Sequence, residues 1–197
     1  MTGRPRSVSD EAIFDAVADV VTAVGPSGLT LAAVARRAGL SAPGLTQRFG
    51  SKRALLVAFA SREAAGVASI FEDARAATPG PLEAIRKALV SLPGPITTRE
   101  GVANNLAFLQ LDLTDPDLHR HAADLSRSLR AELTTLLEEA AKNGDVVVDR
   151  CEVLADSLYA IYCGALLTWA IDGTGELHSW LAERIDRTLA PHRRATT

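Results

Sequence analysis

The chain has 197 residues, of which 47% are apolar and 23% charged, a composition that argues against disorder beyond the ends and supplies core enough to fold without crosslinks. Its net charge of −3 is unevenly spread: residues 1 to 62 carry eight Lys/Arg against four Asp/Glu, and residues 63 to 197 carry thirteen against twenty. A basic head on an acidic body is the distribution expected when one end alone meets phosphate, the other reading being chance asymmetry on a solvated surface.

The opening MTGRPRSVSDEAIF is basic and polar, with no apolar run of signal-peptide length, so a cytoplasmic protein is expected. Arg4 and Arg6, with Gly3 and Pro5, form an arm that either enters a minor groove or is a solvated tail. Beyond it, apolar residues recur three and four apart almost throughout, which predicts an all-α protein. The first helix begins at the capping Ser9, with Asp10 and Glu11 in its first turn, and ends at Gly25-Pro26. Its expected buried stripe is Ile13, Phe14, Val17, Val20, Val21 and Val24.

Helices then follow over about 31 to 38, 42 to 48 and 52 to 77, opened by Thr30, Ser41 and Ser51. Gly39 and Gly50 close the first two. Pro79-Gly80-Pro81 and Pro93-Gly94-Pro95 are firm breaks around a helix over about 82 to 92. Further helices fit about 98 to 114, 116 to 142, 149 to 172 and 176 to 190, making about nine. Val146-Val147-Val148 is strand-like, but its flanks read as a helix stop and a new start. The apolar stretch from Leu154 to Ile171 falls short of the ~20 residues that span a bilayer and reads as a buried helix, so no membrane partner is expected. Cys151 and Cys163 share that helix roughly 18 Å apart and cannot bridge within it, which predicts reduced core thiols.

The informative stretch is LTLAAVARRAGLSAPGLTQRFGSKRALL, residues 29 to 56. Leu31, Val34, Ala35 and Ala38 line one face of a short helix, Gly39 turns the chain, and Leu45 and Phe49 line the buried face of the next. This is a helix-turn-helix, with Ala35 small enough for a close crossing. Burying Leu45 and Phe49 leaves Pro43 and Gln47 facing outward, with Gly44 and Thr46 on the flanks. A face so small and polar fits a major groove about 12 Å wide. Gln47 can pair bidentately with adenine, Ala42 and Pro43 can pack on thymine methyls, and Arg48 can reach guanine or phosphate. The hydroxyls of Thr30, Ser41 and Thr46, with Lys52 at a helix start, suit phosphate positioning. Arg36 and Arg37 read as a charged outer face.

From Ile13 to Phe59 the chain resembles the tetracycline-repressor (TetR) family of bacterial regulators. The resemblance rests on Leu29-Thr30, Val34-Ala35, Ala38-Gly39-Leu40-Ser41, Leu45, and Arg48-Phe49-Gly50-Ser51-Lys52 ahead of Leu55-Leu56. It implies a DNA-binding domain over residues 1 to 52 and a helical regulatory, ligand-binding and dimerisation domain over 53 to 197. The chain departs from the family pattern at Thr46, where relatives commonly carry a Tyr whose hydroxyl holds a phosphate. The resemblance also implies a homodimer through the last two helices, for which Leu154, Leu158, Ile161, Ala165, Leu166 and Trp169, then Leu177, Trp180, Leu181, Ile185 and Leu189 offer apolar surface, some of which must also face the body's own core. Two-fold symmetry then implies a roughly palindromic duplex operator.

Relatives often bind an apolar or amphipathic effector in the body. Here its cavity is expected among Phe71, Asn104, Asn105, Phe108, Leu109, Tyr159, Tyr162 and Cys163, each of which reads first as packing or capping, with Asn105 beside Phe108 and Leu109 the most suggestive of a ligand hydrogen bond. No cofactor and no metal site are expected, since His119 and His121 are two apart on a helix and point to opposite sides. An enzyme is the rival class, but the sequence has no phosphate loop, nucleophile elbow or paired acids in a motif. A helical interaction module that has lost DNA binding is the second rival, kept open by Thr46 and the weak helix formers Pro43 and Gly44.

Overall fold

The computed structural model describes residues 8 to 194, so the arm at Arg4 and Arg6 lies outside the described residues. Among these there are nine α-helices, followed by a short 3-10 turn at Ala190–His192. The head contains α1 (Asp10–Gly28), α2 (Leu31–Arg37) and α3 (Ala42–Phe49). The body contains α4 (Lys52–Ala76), α5 (Pro81–Ser91), α6 (Arg99–Thr114), α7 (Pro116–Asn143), α8 (Cys151–Asp172) and α9 (Leu177–Leu189).

The capping residues act as the sequence predicts. Ser9, Thr30, Ser41 and Ser51 each accept a hydrogen bond from the backbone N–H three residues on, at 3.2, 3.1, 3.2 and 3.1 Å. Gly25 leaves the helical region at φ 69°, and only a one-turn extension through Pro26 follows it. Val24, expected in the buried stripe, is instead 53% exposed. The end of α1 rotates its small residues toward α6: a Cβ at Gly25 would lie 2.9 Å from Asn104 Oδ1. Val146 pairs with Arg193 in an isolated antiparallel bridge, closing the body near its C-terminal end.

Two hydrophobic clusters organise the chain. The head cluster joins Ile13, Val17, Val34, Leu45, Leu55 and Phe59, and also takes in Leu118 with Phe108 packed against it. The first half of α4 therefore belongs to the head's core, while Val67 and Phe71 of the same helix lie in the body's. A rigid helix shared by two cores couples them mechanically. Phe59 carries that coupling further, edge-on to Phe108 with ring centroids 5.9 Å apart.

The body cluster runs through Leu89, Leu133, Leu137, Leu158 and Leu181. Most of the apolar residues expected on the surface of the last two helices lie inside it: Leu154, Leu158, Ala165, Trp169, Leu177, Leu181, Ile185 and Leu189 are buried within the single chain. What α8 leaves outward is Ile161 of that set, 41% exposed, beside a stripe of Val153, Ala160, Gly164, Leu167 and Ile171, spaced three, four and seven apart on one face. α4 and α8 both have the length and apolarity of a membrane span, yet both contribute buried side chains to these clusters.

Candidate nucleic-acid interface

The turn between α2 and α3 is built on Gly39 at φ 71°, a conformation that a side chain would strain. It lets the Leu40 N–H reach the Ala35 carbonyl at 2.7 Å, which closes α2 and sends α3 off at once. Leu45 is fully buried, and Phe49 meets Phe14 with centroids 5.9 Å apart. These two anchors fix the rotation of α3. Pro43, Thr46, Gln47 and Arg48 stand exposed as a result, with Ala42 and Gly44 half-buried beside them.

The hydrogen bonds sort these side chains. Gln47 makes none among the described residues, so its amide is available to a base edge. Thr30 and Ser41 accept through their oxygens in capping, which leaves each hydroxyl hydrogen free to donate to a phosphate. Thr46 instead donates its hydroxyl to the Ala42 carbonyl at 3.0 Å, so its proton is already spent inside α3.

Arg48 turns away from the outward face. It donates to the Val8 carbonyl at 2.6 Å and pairs with Asp10 at 2.6 Å, tying the end of α3 to the start of α1. Lys52 donates to the Pro26 carbonyl at 2.7 Å and is half-buried, holding the start of α4 against the end of α1. Arg36 and Arg37 are both exposed, and Arg37 pairs with Asp19. Sequence spacing cannot reveal the ties of Arg48 and Lys52, because their partners are 40 and 26 residues away.

The sequence model described as "Bacterial regulatory proteins, tetR family" matches residues 13–59, and that of the "BetI-type transcriptional repressor, C-terminal" matches residues 81–190. The chain belongs to the TetR family. It is a DNA-binding transcriptional regulator. No curated protein matches it in sequence. Among solved structures it is similar to Escherichia coli NemR in its reduced form, with 18% identity and a TM-score of 0.75 over 95% of this chain and 99% of that one. A TetR transcriptional regulator from Streptomyces coelicolor matches with 21% identity and a TM-score of 0.71, over 95% and 100%. SmeT, the repressor of the Stenotrophomonas maltophilia multidrug efflux pump SmeDEF, matches with 17% identity and a TM-score of 0.66, over 96% and 92%.

The TetR body contains a cavity of about 230 Å³ lined by Leu92, Pro93, Ile96, Val102, Asn105, Leu106, Leu109, Tyr162 and Leu166. Of the eight residues expected around an effector, Asn105, Leu109 and Tyr162 line it. The other five are used elsewhere. Phe71 is fully buried in the body core, Phe108 packs on Phe59, and Asn104 donates to the Thr22 carbonyl at 2.9 Å. Tyr159 packs half-buried against the body cluster, and Cys163 is exposed on α8. The remaining lining comes partly from the break at Pro93-Gly94-Pro95, through Leu92, Pro93 and Ile96, and partly from Val102 and Leu106 on α6 and Leu166 on α8.

Proposed function

We propose that this TetR regulator is a cytoplasmic repressor that binds a palindromic operator as a homodimer and releases it when a small molecule enters the body. The observation that carries this reading is the outward face of α3. Leu45 and Phe49 anchor the helix from behind, so Gln47 projects with an unspent amide and Pro43 and Ala42 stand at its leading end. Such a face reads bases, while Thr30, Ser41 and the partly engaged Lys52 position the backbone.

Support for the dimer comes from α8. Its Val153, Ala160, Gly164, Leu167 and Ile171 face leaves a stripe of apolar and small residues uncovered, with Ile171 67% exposed. A second copy meeting it about a two-fold axis would cover both stripes at once.

Selection of bound sites from a random duplex pool tests the reading. The expected product is a pair of inverted half-sites with one strongly preferred adenine in each. Enrichment of a single unpaired half-site would overturn the dimeric reader, and no enrichment would overturn operator recognition.

A further inference from the structure

The wall of the body cavity is almost entirely apolar. No charged side chain lines it, and Asp112, one turn beyond Leu109 on α6, is not in the lining. Burying an unpaired ion against such a wall is costly. Two polar groups interrupt the apolar surface. The Tyr162 side chain is 9% exposed, and its hydroxyl makes no hydrogen bond among the described residues. Among the described residues it is not, as Asp112 Oδ1 is, a fully enclosed polar atom left without a partner, so the hydroxyl keeps access to the cavity and can donate to a group bound there.

Asn105 is the second. Its amide N–H donates to the Gly101 carbonyl at 2.9 Å, which fixes the orientation of the amide and leaves Oδ1 as an open acceptor. The same Nδ2 lies 3.4 Å from Thr22 Oγ1, on α1. Its neighbour Asn104 donates to the Thr22 carbonyl at 2.9 Å. Two adjacent amides of α6 thus hold α1 at Thr22, just ahead of its break at Gly25, and one of them forms part of the cavity wall.

Resting on the effector reading above, we propose that the cavity takes a small neutral ligand, apolar except for one hydroxyl-like group that both donates and accepts, and that Asn105 relays its arrival to α1. The ligand donates to Asn105 Oδ1 and accepts from Tyr162. Drawing the Asn105 side chain toward the cavity lengthens an already long contact with Thr22, and α1 loosens where it seats on α6. Ligand size follows from the volume: a cavity of about 150 Å³ holds benzene, so this one holds about nine non-hydrogen atoms.

Calorimetry on the full-length protein with four compounds of about that size tests the class: 2-phenylethanol, 2-phenylethylammonium, phenylacetate and ethylbenzene. 2-Phenylethanol is expected to bind, and the two ions to bind about tenfold more weakly or worse. Tyr162→Phe is expected to weaken 2-phenylethanol about fivefold while leaving ethylbenzene unchanged. Equal binding of either ion overturns the neutral class, and no binding by any of the four up to their solubility overturns the cavity as a site. Hydrogen exchange tests the relay. With 2-phenylethanol bound, the amides of Val21 to Gly25 are expected to exchange faster, and in Thr22→Val to exchange fast with or without it. Unchanged exchange in the bound protein overturns the relay. None of these readouts uses DNA, so their failure leaves the operator reading standing. Release of the selected operator by some other compound would keep the effector reading while overturning this class and site.

Discussion

Arg53 grips Asp115 with both arms of its guanidinium, Nε to Oδ2 at 2.7 Å and a terminal nitrogen to Oδ1 at 2.8 Å. The pair ties the first turn of α4, which belongs to the head, to the corner between α6 and α7. Asp115 also caps α7 by accepting from the N–H groups of Asp117 and Leu118. Arg53 holds the Asp115 and Asp117 carboxyls below the usual carboxylate range by hydrogen bonding to them. Arg53→Ala is therefore expected to lower Tm modestly, and Asp115→Ala to lower it more, because the cap is lost as well. A carboxyl depressed in the folded state stabilises above its unfolded pKa and loses that contribution as pH falls through the folded value. The Tm difference between wild type and Arg53→Ala should thus be full at pH 7, shrink below about pH 4 and be largely screened in 1 M salt. A difference that persists at pH 2 would show that packing, not the ion pair, is responsible.

Asp112 behaves oppositely. Burial without a partner for Oδ1 pushes its carboxyl up to about 6. With the folded value above the unfolded one, the folded state holds the proton more tightly, so stability falls as pH rises from about 4 to 6. Asp112→Asn is expected to raise Tm at pH 7.5 and to change it little at pH 4. The same increment at both pH values would mean that the carboxylate is not the source of the cost.

Gln47 and Lys52 should separate in their dependence on DNA sequence. Gln47→Ala is expected to cost roughly 1 to 3 kcal/mol on the selected operator and little on random duplex. Lys52→Ala should weaken both and reduce the salt slope of log affinity by about one unit per half-site. Because Lys52 also holds the Pro26 carbonyl, its loss should lower Tm as well. If Lys52→Ala shifts Tm alone and leaves the salt slope intact, the lysine is a structural tie rather than a phosphate contact.

The dimer prediction depends on choosing the outward face of α8. Ala160→Glu with Leu167→Glu places two charges on exposed positions, so the helix content should survive while sedimentation shifts to the monomer. Leu158→Glu is the contrasting variant: Leu158 is 0% exposed within the chain, and a charge there should unfold the body. A double variant that still sediments as a dimer would move the interface off this face.

Local chemistry was legible in the sequence. Ser9, Thr30, Ser41 and Ser51 announce helix starts because a capping hydroxyl acts within three residues, and Gly39 announces the turn because its backbone alone tolerates that φ. Leu45 and Phe49 indicated the rotation of α3 because helical periodicity relates them directly. The tertiary structure decided whatever depends on partners distant in the chain. Arg48 and Lys52 read as free cations until Asp10 and Pro26 are placed beside them, and Phe108 reads as cavity lining until Phe59 meets it edge-on. From Leu158 to Ile171, α8 is apolar or small almost all the way round, with Thr168 the exception, so its pattern could not separate Leu158, which faces its own core, from Leu167, which faces outward. Periodicity reports a face only where polar residues mark the opposite one, and on this stretch packing against α6, α7 and α9 breaks the symmetry.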